Sequence, residues 1–480
     1  MPGKENEQGN PSVPNYSNKY IVLSVTTLAQ LMAAIDATIV FLAVPSMGRY
    51  FHTNASYMTM FVVAYIISTT ALLLPSGTIG QRFGRKRPFL LGFLVFAFSS
   101  LAIVFAPNIL WAIVFRAIEG IGAAMMLTLA IPLLLNSFPP EERGKAVGIS
   151  STSWSIGALA GPLVGGYLVS FAWQYIFLIN VPIGIIGFIL GLERIPREKS
   201  NLLAKISKSN VAGFLIFLVP LVIGISFLNI YWIIASIIML PVFLLTQRGH
   251  PLIPVELLTN SKYYPVVVSA ALQGISFMGV LYVLSVFFQT DLGLTSLQAG
   301  LAVAPFPAAS IIGTPIGGHL LDRTGKGGSL LVFSLLLQGA AVLSMAFLLQ
   351  STISLIIPLI IAGFGGSIFW SVSTTLGVDV AGDRFRNMAS GTLFTVRNGA
   401  LIIGIALLPL FISFFSGSST GSLLIFGTGI NLLDPVHAYM ILLGALPLAS
   451  SALIAATMGR WNKPSLRKSR TADDETMSTD

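Results

Sequence analysis

The chain has 480 residues, 54% of them hydrophobic and 9% charged, with a formal net charge of +9; a soluble domain carries about 25% charged residues. It has no cysteine, and none of its four histidines sits in an HExxH pattern, which excludes disulfide frameworks, thiolate metal sites, cysteine nucleophiles and the common zinc-protease arrangement. No metal or cofactor is expected, and the chain reads as an all-α integral membrane protein.

Residues 1–19 are polar with acids mixed in. The apolar run that follows is too long for a cleaved leader, so it is expected to remain as a span. A spanning helix needs about 20 mainly apolar residues. Cutting the chain at charged or Pro/Gly/Asn-rich breaks gives fourteen such runs, near 20–45, 55–77, 88–106, 109–136, 146–170, 175–193, 210–228, 230–247, 263–289, 296–317, 329–349, 352–378, 388–415 and 435–458. The seventh and eighth are separated only by the short turn Asn229 to Trp232, and one long buried hairpin is the alternative. The tail after Trp461 is expected to be disordered.

A nucleic-acid binder concentrates its basic residues on one soluble face. Here they follow the membrane. With the N-terminus cytoplasmic, 24 of the 27 Lys and Arg fall on the inner side; Arg49 falls outside, and Arg116 and Arg397 lie within spans. This asymmetry obeys the positive-inside rule and requires an even span count with both termini cytoplasmic. A cell-membrane location and no nucleic-acid partner follow.

Self-similarity at long separation points to duplicated halves. The segment GTIGQRFGRK from Gly77 resembles GHLLDRTGK from Gly318, Gly120-Ile-Gly122 resembles Gly363-Phe-Gly365, and the stretch from Arg143 to Gly148 resembles that from Arg386 to Gly391. The expected organisation is a tail (1–19), a six-helix bundle (20–193), a basic linker with two inserted spans (194–262), a second six-helix bundle (263–458) and a second tail (459–480).

Five stretches then carry a resemblance: Gly77 to Arg87, Arg116-Ala-Ile-Glu-Gly120, Gly157-Ala-Leu-Ala-Gly161-Pro162-Leu-Val-Gly165-Gly166, the segment IDATIVFLAVP around Asp36, and FLINVPIG around Asn180. Together they resemble the major facilitator superfamily, and most of all its fourteen-span drug:proton antiporter branch. The resemblance implies the major facilitator fold, two six-helix bundles with two extra central spans, and proton-driven export of small hydrophobic or amphipathic compounds by alternating access. It implies a small-molecule substrate and protons as partners, with a monomer sufficient. Gln81 stands where the family usually has Asp, although Asp322 keeps the acid in the second half. Glu119 replaces the usual Gln, and Phe41 the usual Asn.

Gly157, Gly161 and Gly165 recur every four residues and form one smooth helical face; Pro162 is expected to bend that helix. Ordinary small-residue packing and a hinge between the halves are both open readings. Gly77, Gln81, Arg82, Gly84 and Arg85, with Gly318, Asp322 and Arg323 in the second half, read either as inside loops obeying the charge rule or as a structural gate.

Charges inside the membrane cost at least about 2.5 kcal/mol each and normally mark function. Counting from the outer ends of their runs puts Asp36, Arg116 and Glu119 at depths of roughly 13, 12 and 17 Å. All three can meet in one layer. They are the candidate proton-coupling site, with Asp36 the first choice as carrier, Glu119 the second and Arg116 tuning both; a self-satisfied Arg116–Glu119 pair with Asp36 merely hydrated is the alternative. Arg397 has no obvious acid, Asp379 and Asp383 being candidates. Shifting the charged positions by the repeat places Asp36 near Met278, with Gln273 the nearest polar group, so the second half lacks the charges. Substrate contact is expected to lean on Gln273, Phe277, Tyr282, Phe287 and Phe288 there and on Phe41 in the first half, although aromatic side chains facing lipid are the alternative. A facilitator moving a metabolite as a symporter or importer, an intramembrane enzyme and a receptor are competing readings; the absence of a nucleophile or metal motif argues against the enzyme.

Overall fold

The computed structural model describes residues 18–139, 142–195, 208–227, 229–246, 259–381, 386–416 and 434–457. The linker 196–207, the tails, Asp383 and the side chain of Gln81 lie outside the described residues. In chain order the helices are α1 (Lys19–Tyr50), α2 (Ala55–Phe83), α3 (Lys86–Val104), α4 (Ile109–Ser137), α5 (Arg143–Phe171), α6 (Tyr175–Leu178), α7 (Asn180–Arg194), α8 (Lys208–Ser226), α9 (Ile230–Thr246), α10 (Tyr263–Thr290), α11 (Ser296–Val303), α12 (Pro305–Thr324), α13 (Gly327–Met345), α14 (Thr352–Ala381), α15 (Arg386–Ser416) and α16 (Pro435–Thr457). Lipid offers no partners for backbone groups, which is why the apolar runs are helical throughout. Twelve helical segments among the described residues are long and apolar enough to cross a bilayer. Two shorter apolar segments, Leu215–Ile225 and Ile230–Phe243, stand at the seventh and eighth expected spans.

Two boundaries differ from expectation for a physical reason. Helix α1 continues through Pro45 to Tyr50, since an internal proline removes one backbone bond and membrane helices absorb that loss. The expected loop from Gly77 to Arg87 is largely helical. Helix α2 runs to Phe83, and the turn is confined to Gly84, at φ +80°, and Arg85. Gly77 faces Thr128, and a Cβ on Gly80 would overlap Leu129, so these glycines serve helix packing rather than a turn. In the second half Gly325, at φ +62°, makes the corresponding turn after α12. Asn54 and Asn108 cap α2 and α4, each accepting from a backbone N–H three residues on at 3.2 Å.

The chain divides into two compact units, Met1–Phe243 with Phe288–Ala304, and Leu244–Phe287 with Pro305–Asp480. In the first, α1 packs on α5, α2 on α4, and α3 on α4 and α7. Helix α8 lies against α2, where Tyr57 and Phe227 make an edge contact at 5.0 Å. Lys86 Nζ reaches the end of α7, donating to Leu192 O at 2.8 Å and Ile195 O at 2.5 Å, which satisfies carbonyls that a helix end leaves open. In the second unit, α12 packs on α14, and α14 and α16 on α13.

The duplication is visible in the packing itself. A Cβ on Gly122 would meet Gly92 O at 2.7 Å and Phe96 N at 2.7 Å; on Gly365 it would meet Ser334 O at 2.8 Å and Gln338 N at 2.9 Å. Gly161 likewise lies on Ile35 O as Gly404 lies on Ile275 O. This contact puts Asp36 opposite Ser276, two residues from Met278 and within the neighbourhood that the loop spacing gave.

Candidate functional site

Asp36 on α1, Arg116 and Glu119 on α4 and Asn180 at the start of α7 converge inside the first unit. Each of the three charged side chains is 0% exposed. Arg116 Nη1 donates to Asp36 Oδ2 and to Glu119 Oε2, both at 2.6 Å, and Nη2 donates to Asp36 O at 3.2 Å. Asn180 Nδ2 donates to Asp36 Oδ1 at 3.2 Å and to Ser100 Oγ at 3.3 Å. Ser100 in turn donates to Glu119 Oε1. The guanidinium carbon stands 4.4 Å from the ring centre of Tyr65, with Phe61 and Phe177 each at 5.7 Å.

Taking charges out of water costs several kcal/mol per ion and is repaid only by close pairing with the remaining lone pairs filled. Here all four carboxyl oxygens have a donor, and three aromatic rings replace water around the cation. Asp36 is therefore not a hydrated bystander to an Arg116–Glu119 pair; it shares the guanidinium. Two carboxyls face one guanidinium, so the site carries one surplus negative charge when both are ionised and is neutral when it holds one proton.

Local sequence explains the convergence. Arg116 and Glu119 are three apart on α4 and share a helix face. Asp36 is held toward them from behind by the glycine face of α5. A Cβ on Gly157 would meet Leu31 O at 2.8 Å, one on Gly165 would meet Ile39 Cγ1 at 2.6 Å, and one on Gly161 would overlap Thr38 Oγ1. The expected glycine face thus seats the helix that carries Asp36. A second face of the same motif seats α11: a Cβ on Gly166 would meet Ser296 O at 2.6 Å, and one on Gly300 would overlap the Pro162 carbonyl. Gln30 Nε2 donates to Ser150 Oγ at 2.6 Å in the same α1–α5 seam.

The other expected residues lie apart from this cluster. Gly77, Gln81 and Arg82 lie in α2, and Gly318, Asp322 and Arg323 in α12, with the last two exposed. Phe41, 2% exposed, belongs to the first unit. Gln273 and Tyr282 are buried in the second, with Phe277 half-buried. Phe287 and Phe288 are buried as well, so neither they nor Tyr282 is a lipid-facing ring. Gln273 Nε2 donates to Gln338 Oε1 at 3.3 Å, and Phe277 packs on Phe306 at 4.8 Å. Asp379 is exposed near the C-terminal end of α14, and Arg397 has no carboxylate partner among the described residues. Its guanidinium lies 3.8 Å over Trp370.

Sequence reasoning missed Ser100, Tyr65, Gln338 and Trp370, and reached Asn180 only through the resemblance. Gln338 had a signal, a lone amide in an apolar run. The others had none, because serines and aromatics are common in spans.

Comparison with known proteins shows the family. The family profile of the Major Facilitator Superfamily matches residues 26–405 and 266–472. The methylenomycin A resistance protein of Streptomyces coelicolor is 30% identical over 91% of this chain and 95% of its own. The riboflavin transporter RibZ of Clostridioides difficile is 28% identical over 84% of this chain and 89% of its own. The crystal structure of a peptide transporter POT mutant in complex with sulfate superposes with a TM-score of 0.68 at 15% identity, covering 95% of this chain and 96% of that one, which is a likeness of fold. On this profile match and these relatives, the chain is a multi-pass membrane transporter of the Major Facilitator Superfamily and not an enzyme.

Proposed function

We propose that this transporter is a proton-coupled antiporter of the fourteen-span drug:proton branch, exporting small hydrophobic or amphipathic compounds by alternating access. The observation that carries the reading is the buried site of two carboxyls and one guanidinium in the first unit. A site one proton short of neutrality can load that proton when open to one side and release it when open to the other. Asp36 is the preferred carrier, with Glu119 second and Arg116 holding both. Gly157, Gly161 and Gly165, which seat α1, and Gly166 with Pro162, which seat α11, make α5 the element through which movement of α1 couples to the second half of the sequence. Gly77, Gln81, Arg82, Gly84 and Arg85 in the first half, and Gly318, Asp322 and Arg323 in the second, are proposed as gating segments, each within its own unit. The proton gradient is the energy source, and no cofactor is needed.

The name of the methylenomycin A resistance relative supports export. In everted membrane vesicles energised by a proton gradient, we expect the protein to drive accumulation of ethidium or another hydrophobic dye, and a protonophore to stop it. Dye transport indifferent to the protonophore would refute the antiport reading. The riboflavin transporter relative favours a second reading, movement of a metabolite. Riboflavin uptake into intact cells, with no dye export, would select it.

The positive-inside distribution supports cytoplasmic termini, and the cysteine-free sequence permits a direct test. Single cysteines at the exposed positions Ser351, between α13 and α14, and Thr324, at the end of α12, are expected on opposite sides. In intact cells an impermeant maleimide should label Ser351→Cys and leave Thr324→Cys untouched; the reverse pattern would invert the topology.

A further inference from the structure

Among the described residues, the first unit surrounds the buried Arg116 with acids, whereas the second unit leaves the half-buried Arg397 without one. Arg397 lies eleven residues into α15 and five residues into its apolar span Thr392–Ile412, roughly 8 Å inside that span. No carboxylate among the described residues pairs with it, and its Nε is buried without a hydrogen-bond partner. One face of the guanidinium is covered by Trp370 at 3.8 Å, and Phe277 lies at 6.0 Å.

A second set of unspent groups adjoins it. The Gln273–Gln338 pair makes one hydrogen bond and leaves Gln273 Oε1 and Gln338 Nε2 without partners, although the residues are 1% and 0% exposed; Ser276 Oγ, at 0%, is also without one. Glycine at 366 links the two amides to Phe277. A Cβ there would stand 3.0 Å from Gln338 Oε1, 3.1 Å from Gln273 Nε2 and 3.1 Å from Phe277 Cδ2, and Trp370 is one helical turn further along α14. Amide pair, aromatic ring and guanidinium therefore border one another within a single unit.

An unpaired cation at this depth is costly and calls for an anion. A planar guanidinium stacked on an indole keeps its edge for a two-pronged partner, which a carboxylate matches in geometry. A free amide N–H, a free amide oxygen and two rings suit the remainder of a flat molecule with carbonyl and N–H or O–H groups. We propose that Arg397, Trp370, Phe277, Gln273 and Gln338 bind an aromatic carboxylate, Arg397 taking the carboxylate. This deepens the export reading by naming a substrate class and rests on it only for the direction of transport.

The test is binding by the full-length protein in maltoside micelles, with no gradient, so that failure of proton coupling cannot affect it. The probes are 2-naphthoate and quinoline-3-carboxylate, each beside its neutral amide. Wild type should bind at least one of the acids about tenfold more tightly than its amide, a discrimination that one charged pair can supply. Arg397→Gln should bind acid and amide alike, and Arg397→Lys, which keeps the charge but not the fork, should retain a reduced preference; both are compared at an unchanged unfolding temperature. Equal affinities or no binding in wild type would overturn the proposal, as would a full preference in Arg397→Gln. So would loss of the wild-type preference in phosphatidylglycerol nanodiscs alone, since the anion would then be a lipid headgroup. Lost preference with normal gradient-driven dye export would sink the site and leave the antiport reading standing.

Discussion

Asp36→Asn should abolish gradient-driven export at every pH while leaving substrate binding and membrane insertion intact. Asparagine keeps the size of the side chain, and its one amide oxygen can still accept from Arg116, which donates to Asp36 Oδ2 at 2.6 Å, while its NH2 takes the place of the oxygen that accepts from Asn180 at 3.2 Å. It cannot take up a proton. One proton crossing 100 mV supplies about 2.3 kcal/mol, and a pH unit adds about 1.4. A coupled exporter with one proton per cycle can therefore sustain about a tenfold substrate gradient for each pH unit. Without the carrier that gradient should fall to unity, although downhill exchange of substrate should persist. The measurement is dye accumulation in everted vesicles at matched expression, over a range of imposed pH gradients. Wild-type accumulation by Asp36→Asn would rule out Asp36 as the obligatory carrier and move the assignment to Glu119.

Arg116→Ala should fail differently. It leaves two buried carboxyls facing each other across the space of the lost cation, with Asn180, Ser100 and the Tyr65, Phe61 and Phe177 rings as the remaining neighbours. Removing one partner of a buried ionic group typically costs about 3–5 kcal/mol. Neutralising the acids by protonation relieves that cost and freezes the cycle. Loss of export in this variant should therefore come with a lower unfolding temperature, which Asp36→Asn should not show. An Arg116→Ala protein of normal stability and normal export would remove the cluster from the mechanism.

The second large effect is expected at Gly161. A Cβ at this position would overlap Thr38 Oγ1 and lie 3.0 Å from Thr38 Cβ and 3.1 Å from Ile35 O. Thr38 is branched at Cβ and its hydroxyl already donates to Ala34 O and Ile35 O at 3.2 Å, so it has little room to rotate away. Overpacking of this kind costs about 1–3 kcal/mol, occasionally more. In this seam the strain would also push α1, and Asp36 with it, away from Arg116. Gly161→Leu should abolish export, and Gly161→Ala should lose most of it, with insertion retained in both. Adding Thr38→Ala to Gly161→Ala removes the overlapping hydroxyl and should restore part of the activity. Full activity in Gly161→Leu, or no rescue by the second change, would show that the α1–α5 contact is not the critical one.

Much of the site was legible before any coordinate. Asp36, Arg116 and Glu119 stand out because ionisable groups are rare at membrane depth, and helix rise alone brought them to one layer. Their partners could not be read in the same way. Ser99 and Ser100 are adjacent and chemically identical, yet Ser99 donates to Val95 O of its own helix at 2.6 Å while Ser100 reaches Glu119. Only the rotation of α3 against α4 separates them, and rotation is set by packing in three dimensions, where Gly122 lets the two backbones approach. The basic stretch at the end of α2 differed from expectation for a related reason. Glycines at 77 and 80 look like a turn in isolation, but their neighbours on α4 use them as a packing face.

By itself the amino-acid sequence determined the solvent, the helical class, the approximate spans and the duplication, since each depends on composition or on spacing along one dimension. It also determined that α5 would present a smooth glycine stripe. What that stripe touches was decided by the tertiary structure: one face takes the helix of Asp36 and another takes α11, distant in sequence. The same holds for the second unit, where the loop spacing put Asp36 near Met278 and the helix contact puts it opposite Ser276, a buried neutral hydroxyl. Periodicity along a chain fixes which residues share a helix face, but the residue opposite depends on how neighbouring helices rotate and approach, and in lipid that is settled by close packing of small side chains rather than by a hydrophobic pattern.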